Sequence, residues 1–379
     1  MSDGTSIEWT DATWNPVRGC ARVSPGCVNC YAERQAIRQS GPGRRFEGLV
    51  RSTANGPRWT GQMRTVPEKL DQPLRWREPR RIFVNSMSDL FHDDVPNEFI
   101  AAVFGVMAAA PQHTFQVLTK RAERMRDWFR WLDERGGIYR YIRSIRVDGD
   151  RTIPDLFNAV VRTETLRGRT VRSMSDPWMQ VFNAAAVSSA GPLFNVWLGV
   201  SAEDQQRADE RIPLLFQTPA AVRFVSAEPL LGPIDLRLWL GMDCQSCGGG
   251  IPRKIGELSS IDVVLECGCR YCIVCSGRGR HEDHDERCAG PTRLAWTIIG
   301  GESGPGARAC DAEWVRDIVE QCRSAGVAAF VKQLGAEAFD SSRTASGADE
   351  VLALRSKKGG DMQEWPPDLR VREFPGPRA

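Results

Sequence analysis

"RIFVNSMSDLFHDDVPNEFIAAVFGVMAAA", residues 81–110, decides the class of fold. It opens on a short apolar run, RIFVNS (81–86), without the apolar–polar alternation of a half-exposed strand. After a polar bend comes a helical pattern, PNEFIAAVFGVMAAA (96–110). A strand that is apolar on both faces belongs to a parallel sheet covered by helices. The same pairing recurs. TFQVLT (114–119) precedes KRAERMRDWFRWLDERG, and VWLGVS (196–201) precedes AEDQQRADERIPLLFQ. WTIIGG (296–301) precedes DAEWVRDIVEQCRSAG, with Asp311 placed as its N-cap. RFVSAE (223–228) and AAFVKQ (328–333) are strands of the same kind, and TWNPVRG (13–19) supplies a short first one. Such units predict an α/β fold: a partial (β/α) barrel of about six to seven parallel strands. An open doubly wound sheet is the alternative.

The strand ends carry charge. Asp89 lies just past the run at 81–86, and Lys120, Glu203, Glu228, Glu302 and Lys332 lie at or just past the ends of the other five. In a barrel these ends converge on one face, which hosts the active site. One polar strand end is ordinary, because chains leave sheets into water; six ionisable ends predict a polar site at that mouth.

The barrel is expected over 1–240 and 290–335. Residues 136–194 break the strand–helix rhythm and read as an insertion, 241–290 as a second, cysteine-rich one, and 336–379 as a C-terminal tail. No repeat of solenoid type is present.

The chain has 379 residues and a net charge of +2, so no global field calls for a polyanionic partner. The basic residues are mostly Arg, which suits bidentate phosphate contacts; a compositional bias of the genome explains them equally. MSDGTSIEWTDATWNPV lacks the basic and apolar regions of a signal peptide. No apolar run approaches the roughly 18 residues of a membrane span. The expectation is a cytoplasmic protein without membrane contact, with reduced thiols. Its twelve cysteines are then expected to bind metal rather than form disulfides.

Seven of them crowd into 244–288: Cys244, Cys247, Cys267, Cys269, Cys272, Cys275 and Cys288, joined by His281 and His284. A C-x-x-C turn presents two thiolates to one ion from a single tight loop, so the segment is expected to be a structural zinc module. Nine candidate ligands exceed the four one ion takes; two Zn2+ ions would use eight, and one ion with spare thiols is the alternative. Three more cysteines, Cys20, Cys27 and Cys30, lie in GCARVSPGCVNCYAE (19–33), and Cys310 and Cys322 stand apart. Three thiolates fall one short of a closed tetrahedral zinc site. Zinc would need a fourth ligand, with His92 or His113 the nearest candidates. A [4Fe-4S] cluster held by three thiolates instead keeps one iron open for a small molecule.

A three-cysteine loop just after the first strand of a partial (β/α) barrel resembles the radical S-adenosylmethionine (SAM) superfamily. The usual spacing there is three and two residues between cysteines; this loop has six and two. CVNCYAE resembles the CxxCY end found in the spore photoproduct lyase branch. More closely, the chain is similar to a phage and bacterial family of three-cysteine proteins. The matching stretches are WNPVRGCARVSPGCVNCYAE, RIFVNSMSDLFHDDVP, TFQVLTKRAERM, NVWLGVSAEDQQRAD, RFVSAEPLLGPIDL, WTIIGGESGPGARAC and EWPPDLRVREFP. The resemblance implies that Cys20, Cys27 and Cys30 hold a [4Fe-4S] cluster and that SAM chelates its open iron. It implies reductive cleavage of SAM to a 5′-deoxyadenosyl radical, with an electron donor such as a flavodoxin or ferredoxin. By position, Asn85, Ser86, Ser88 and Asp89 would contact the SAM amino group. Ser201 and Glu203 would meet the ribose or carboxylate region, and Glu228, Gly300, Gly301 and Glu302 would line the adenine or substrate side. Lys120 and Lys332 would neutralise a carboxylate or phosphate; a salt bridge to a nearby Glu is the alternative. Tyr31 and Cys310 would return a hydrogen atom to a product radical; simple packing is the alternative.

The phage association and the Arg-rich GPGRR and RWREPRR suggest DNA or RNA as substrate, for modification or repair, against a merely solvated surface. A nucleic-acid-binding protein with structural cluster and zinc, and no SAM chemistry, is the second hypothesis. A zinc-only protein is the third.

Overall fold

The structure is a computed structural model and describes residues 5–134, 192–241, 293–343 and 350–376, with the pairs 146–147 and 151–152. The zinc-ligand segment 244–288 and most of the insertion expected at 136–194 lie outside the described residues.

Seven strands form the main sheet: β1 (Ala12–Trp14), β2 (Arg81–Val84), β3 (Thr114–Thr119), β4 (Val196–Ser201), β5 (Val222–Ala227), β6 (Trp296–Gly300) and β7 (Ala328–Gln333). They lie in chain order, β1 through β7, as a parallel sheet. A doubly wound sheet reverses its strand order at a switch point. This order does not reverse, and the first and last strands are not paired, so the strand order is that of a half-barrel. The apolar character of the runs follows from burial on both faces: β5 and β6 are buried at every position. The run at 81–86 overshoots β2 by two residues. Asn85 has φ +61°, a left-handed conformation that Asn adopts more readily than most residues, and the chain turns there.

The longer helices among the described residues are α1 (Tyr31–Ala36), α2 (Asn97–Ala109), α3 (Ala122–Asp133), α4 (Gln205–Phe216) and α5 (Ala312–Ser324). The chain divides into two compact units. The first comprises Met1–Val23, Ala32–Leu198 and Thr218–Ala221; the second comprises Ser24–Tyr31, Gly199–Gln217 and Val222–Ala379.

In the first unit, α2 is buried over most of its circumference, as its nearly unbroken apolar sequence requires. The helix α3 is amphipathic and buries Met125, Trp128 and Leu132 at helical spacing. Phe104 and Trp128 meet with ring centroids 4.6 Å apart, and Phe91 packs on the same indole at 6.0 Å.

In the second unit, α5 buries Val315, Ile318, Val319 and Cys322, and Asp311 caps it by accepting a hydrogen bond from the Glu313 N–H. A Cβ at Gly199 would lie 2.5 Å from the Phe224 ring, so β4 needs glycine where β5 packs against it. The C-terminal segment lies along the free edge of β7. Val331 donates to the Val371 carbonyl and Glu373 to the Ala329 carbonyl, both at 2.8 Å, with Trp365 and Leu369 buried. That edge is thereby covered rather than left as a template for another chain.

Candidate functional site

Cys20, Cys27 and Cys30 are of intermediate exposure and form no disulfide among the described residues. Cys20 belongs to the first unit, Cys27 and Cys30 to the second.

In the first unit, the segment entering the cysteine loop is held by the turn after β2. Asn15 Oδ1 accepts from the Met87 N–H at 3.0 Å and from Ser86 Oγ at 3.2 Å, and Ser88 Oγ donates to the Val17 carbonyl at 2.8 Å. Gly19 has φ +91°, and a Cβ there would lie 2.2 Å from the Gln62 carbonyl oxygen, so only glycine passes immediately before Cys20. Asp89 is buried and accepts four hydrogen bonds. They come from Thr119 Oγ1 (2.7 Å), Phe91 N–H (3.0 Å), Lys120 N–H (3.1 Å) and Arg121 Nη1 (3.1 Å). Arg121 in turn donates from Nη2 to the Ala21 carbonyl at 3.0 Å, and its Nη1 lies 3.9 Å from Cys20 Sγ. A buried ion pair at the ends of β2 and β3 thus sets a fixed positive charge beside a sulfur that must be anionic to bind metal. Glu33, in the CYAE end of the motif, is buried and clamps Arg22 through two hydrogen bonds of 3.0 and 2.5 Å, while accepting the Trp59 N–H at 2.9 Å.

Asn85 differs from its neighbours. It is 2% exposed, and neither Oδ1 nor Nδ2 of its side chain has a hydrogen-bond partner. Buried polar atoms without partners are rare and costly, and a ligand's polar group is one way to satisfy them.

In the second unit, two carboxylates grip the loop between its cysteines. The Gly26 N–H donates to Glu203 Oε1 at 3.1 Å, and Glu203 Oε2 accepts from Arg211 Nη1 at 3.0 Å. Arg211 also donates to the Ser201 carbonyl at 2.7 Å. Asn29, between Cys27 and Cys30, donates from Nδ2 to Glu302 Oε2 at 2.8 Å and to the Gly306 carbonyl at 2.7 Å. Arg308 closes the other side of Glu302 at 2.7 Å. Burial works against ionisation of Glu302, but hydrogen bonds from Arg308 and Asn29 overcome it and hold the carboxyl below its usual range. Glu228 pairs with Lys332 at 2.5 Å.

The six charged strand ends therefore mostly serve the protein itself. Asp89, Glu203 and Glu302 position the loop, directly or through arginine. Lys332 has the salt bridge named as its alternative, and Lys120 gives its backbone N–H to Asp89. Gly301 is required by its own sheet, since a Cβ would lie 2.1 Å from the Leu334 carbonyl; Gly300 meets only ordinary contacts. Tyr31 is 41% exposed, whereas Cys310 is 1% exposed and burial pushes its thiol up to about 12. Sequence reasoning missed Arg121, Arg211, Arg308, Asn29 and Glu33. A signal existed for two of them: a carboxylate buried at a strand end needs a cation, and Arg211 and Arg308 follow Glu203 and Glu302 closely in the chain.

Among the described residues, no group of three or more His, Cys, Asp or Glu side chains is arranged to hold a metal ion. A single zinc ion draws thiolates to about 2.3 Å from one point, whereas each thiolate of an iron–sulfur cluster binds its own iron. Three cysteine thiolates are one short of a closed tetrahedral zinc site and are the ligand type of iron–sulfur clusters. No helix is long and apolar enough to cross a membrane among the described residues.

Residues 4–363 match the family described as a protein of unknown function, DUF5131. The chain belongs to that family. The match spans the cysteine loop, all seven strands and their charged ends. No curated protein and no solved structure matches the chain.

Proposed function

We propose that the chain is an enzyme of the radical SAM type, with Cys20, Cys27 and Cys30 as the thiolates of a [4Fe-4S] cluster. The observation that carries the reading is the bracing of one cysteine loop by buried strand-end carboxylates: Asp89 through Arg121 on Cys20, Glu203 on Gly26 and Glu302 on Asn29. Such bracing is costly in desolvation and is what a preorganised cofactor site needs. When bound, the cluster supplies the electron that cleaves SAM and so starts radical chemistry.

The protein's own work is positional. Arg121 keeps a positive charge at Cys20. Glu203 and Glu302 commit their oxygens to the loop, so we assign them to positioning rather than to SAM. Asn85 is the residue we assign to a polar group of SAM, because its buried amide lacks any partner. Tyr31, exposed beside Cys30, remains a candidate hydrogen donor; buried Cys310 is a poor one. A reduced flavodoxin or ferredoxin is the class of electron donor this requires.

Anaerobic purification followed by iron, acid-labile sulfide and zinc counts tests the cofactor. The expected result is about four irons and four sulfides per chain, lost in the Cys20→Ala/Cys27→Ala/Cys30→Ala variant while zinc is retained. Zinc without sulfide at these cysteines would support the zinc-only reading instead.

A further inference from the structure

Charge in this chain is nearly balanced overall, at +2, yet residues 34–64 hold seven arginines (34, 38, 44, 45, 51, 58 and 64) against one acid, Glu47. The fold then sets like charges face to face. Val17–Arg18 pairs antiparallel with Arg64–Thr65 so that Arg18 stands directly opposite Arg64. In the hairpin of Val50–Thr53 with Gly56–Trp59, Arg51 stands directly opposite Arg58. Directly opposed like charges destabilise an antiparallel pair, and this segment does it twice. Arg58 finds partial relief at Glu33, 3.8 Å away. Among the described residues Arg18, Arg45, Arg51 and Arg64 form no ion pair, and Arg64 has only the Glu47 carbonyl, at 3.0 Å. Arg45, Glu68 and Arg64 are the charged neighbours of Arg18.

We infer that this arginine face, centred on Arg18, Arg45 and Arg64 with Arg51 on the neighbouring hairpin, binds the phosphate backbone of a nucleic acid. Guanidinium groups accept phosphate oxygens bidentately, and a run of phosphates relieves several like-charge contacts at once. A bilayer surface fits less well, because it needs apolar anchors beside the charge, and none of the exposed large apolar side chains lies within 34–64. Arg18 is two residues before Cys20, so the bound strand enters next to the first cysteine of the loop. The inference supplies a substrate class for the proposed enzyme but does not depend on its chemistry.

The test is fluorescence anisotropy of the full chain with labelled single-stranded DNA, duplex DNA and RNA at two or more salt concentrations. Arg45→Gln/Arg64→Gln removes two positive charges from exposed positions. Arg355→Glu, at an exposed position in the second unit, makes the same change in net charge. Circular dichroism and melting confirm that both fold. We expect salt-steep binding to at least one nucleic acid, weakened about tenfold or more in the double variant, with a log–log salt slope smaller by about two. The control should bind like the wild type. Equal loss in the control, no binding to any nucleic acid, or equally tight binding to polyglutamate or to phosphatidylserine vesicles would each overturn the inference. Binding is read with and without a reconstituted cluster, so failure of SAM cleavage leaves its outcome independent.

Discussion

The backbone N–H of Gly26 donates to Glu203 Oε1 at 3.1 Å, and a Cβ at position 26 would lie 3.0 Å from the same carboxyl carbon. A side chain at 26 would press on the bond that holds the loop. The residues are 177 positions apart in the chain. The six-residue stretch between Cys20 and Cys27 therefore presents a bare amide to a buried carboxylate at the end of β4.

Glu203 is fully buried and its partner Arg211 is nearly so. Removing one member of such a pair leaves the other charge without compensation, at a cost of about 3–5 kcal/mol. Glu203→Gln is expected to be destabilised to the lower part of that range in urea unfolding. Glu203→Gln/Arg211→Met should recover part of the loss. A single variant as stable as the wild type would refute the buried pair.

Gly19 and Gly61 have nearly the same backbone, φ +91° and +88°, but a Cβ meets the Gln62 carbonyl at 2.2 Å at the first and nothing within 4 Å at the second. Gly61→Ala should cost about 1–2 kcal/mol, the strain of left-handed backbone alone. Gly19→Ala should cost about 2 kcal/mol more, from overpacking, and should lower iron content on reconstitution. Equal costs in denaturant titrations would mean that the chain passes Gln62 differently.

Acid should weaken the fold early. Burial lowers His113 below its usual 6.5, although the hydrogen bond to the Pro73 carbonyl opposes this; burial likewise lowers His92, with Arg121 adding to the effect. The unfolded chain then binds more protons than the fold between each lowered value and 6.5. Stability falls as pH drops through that window, by up to about 1.4 kcal/mol per pH unit for each histidine. Urea midpoints measured from pH 7.5 to 5.5 should show this decline, and His113→Gln should make it shallower. An unchanged slope in that variant would rule out His113 as a source.

Thiol labelling should sort the cysteines by environment. Cys20, Cys27 and Cys30 are part-exposed, whereas Cys310 and Cys322 are buried with thiols pushed up to about 12 and about 11. With metal stripped by chelator, iodoacetamide at pH 7.5 should modify the 20–30 peptide in the folded protein and leave the other two untouched until denaturant is added. Comparable rates at Cys310 would restore it as an accessible hydrogen donor.

Strand positions were the most legible part of the molecule. VWLGVS, TFQVLT and AAFVKQ match β4, β3 and β7 residue for residue, because a strand buried on both faces leaves an unbroken apolar run. RIFVNS overshoots β2 because its one mark of the left-handed turn, Asn85 itself, is a weak signal inside an otherwise strand-like run. The charged ends were legible as positions but not as roles. Asn29 reaches Glu302 across 273 residues, and no local pattern encodes which donor a carboxylate will meet. The arginine face was diluted in the same way: Arg18 and Arg64, and likewise Arg51 and Arg58, come to stand opposite each other only through two short antiparallel ladders.

The central claim is that the braced cysteine loop holds a cluster that cleaves SAM. Its most direct test is chromatography of the reaction after anaerobic reconstitution with iron and sulfide, addition of dithionite and incubation with SAM. The account predicts 5′-deoxyadenosine and methionine from the wild type and none from Cys27→Ala. Intact SAM in the presence of a full complement of iron and sulfide would contradict it.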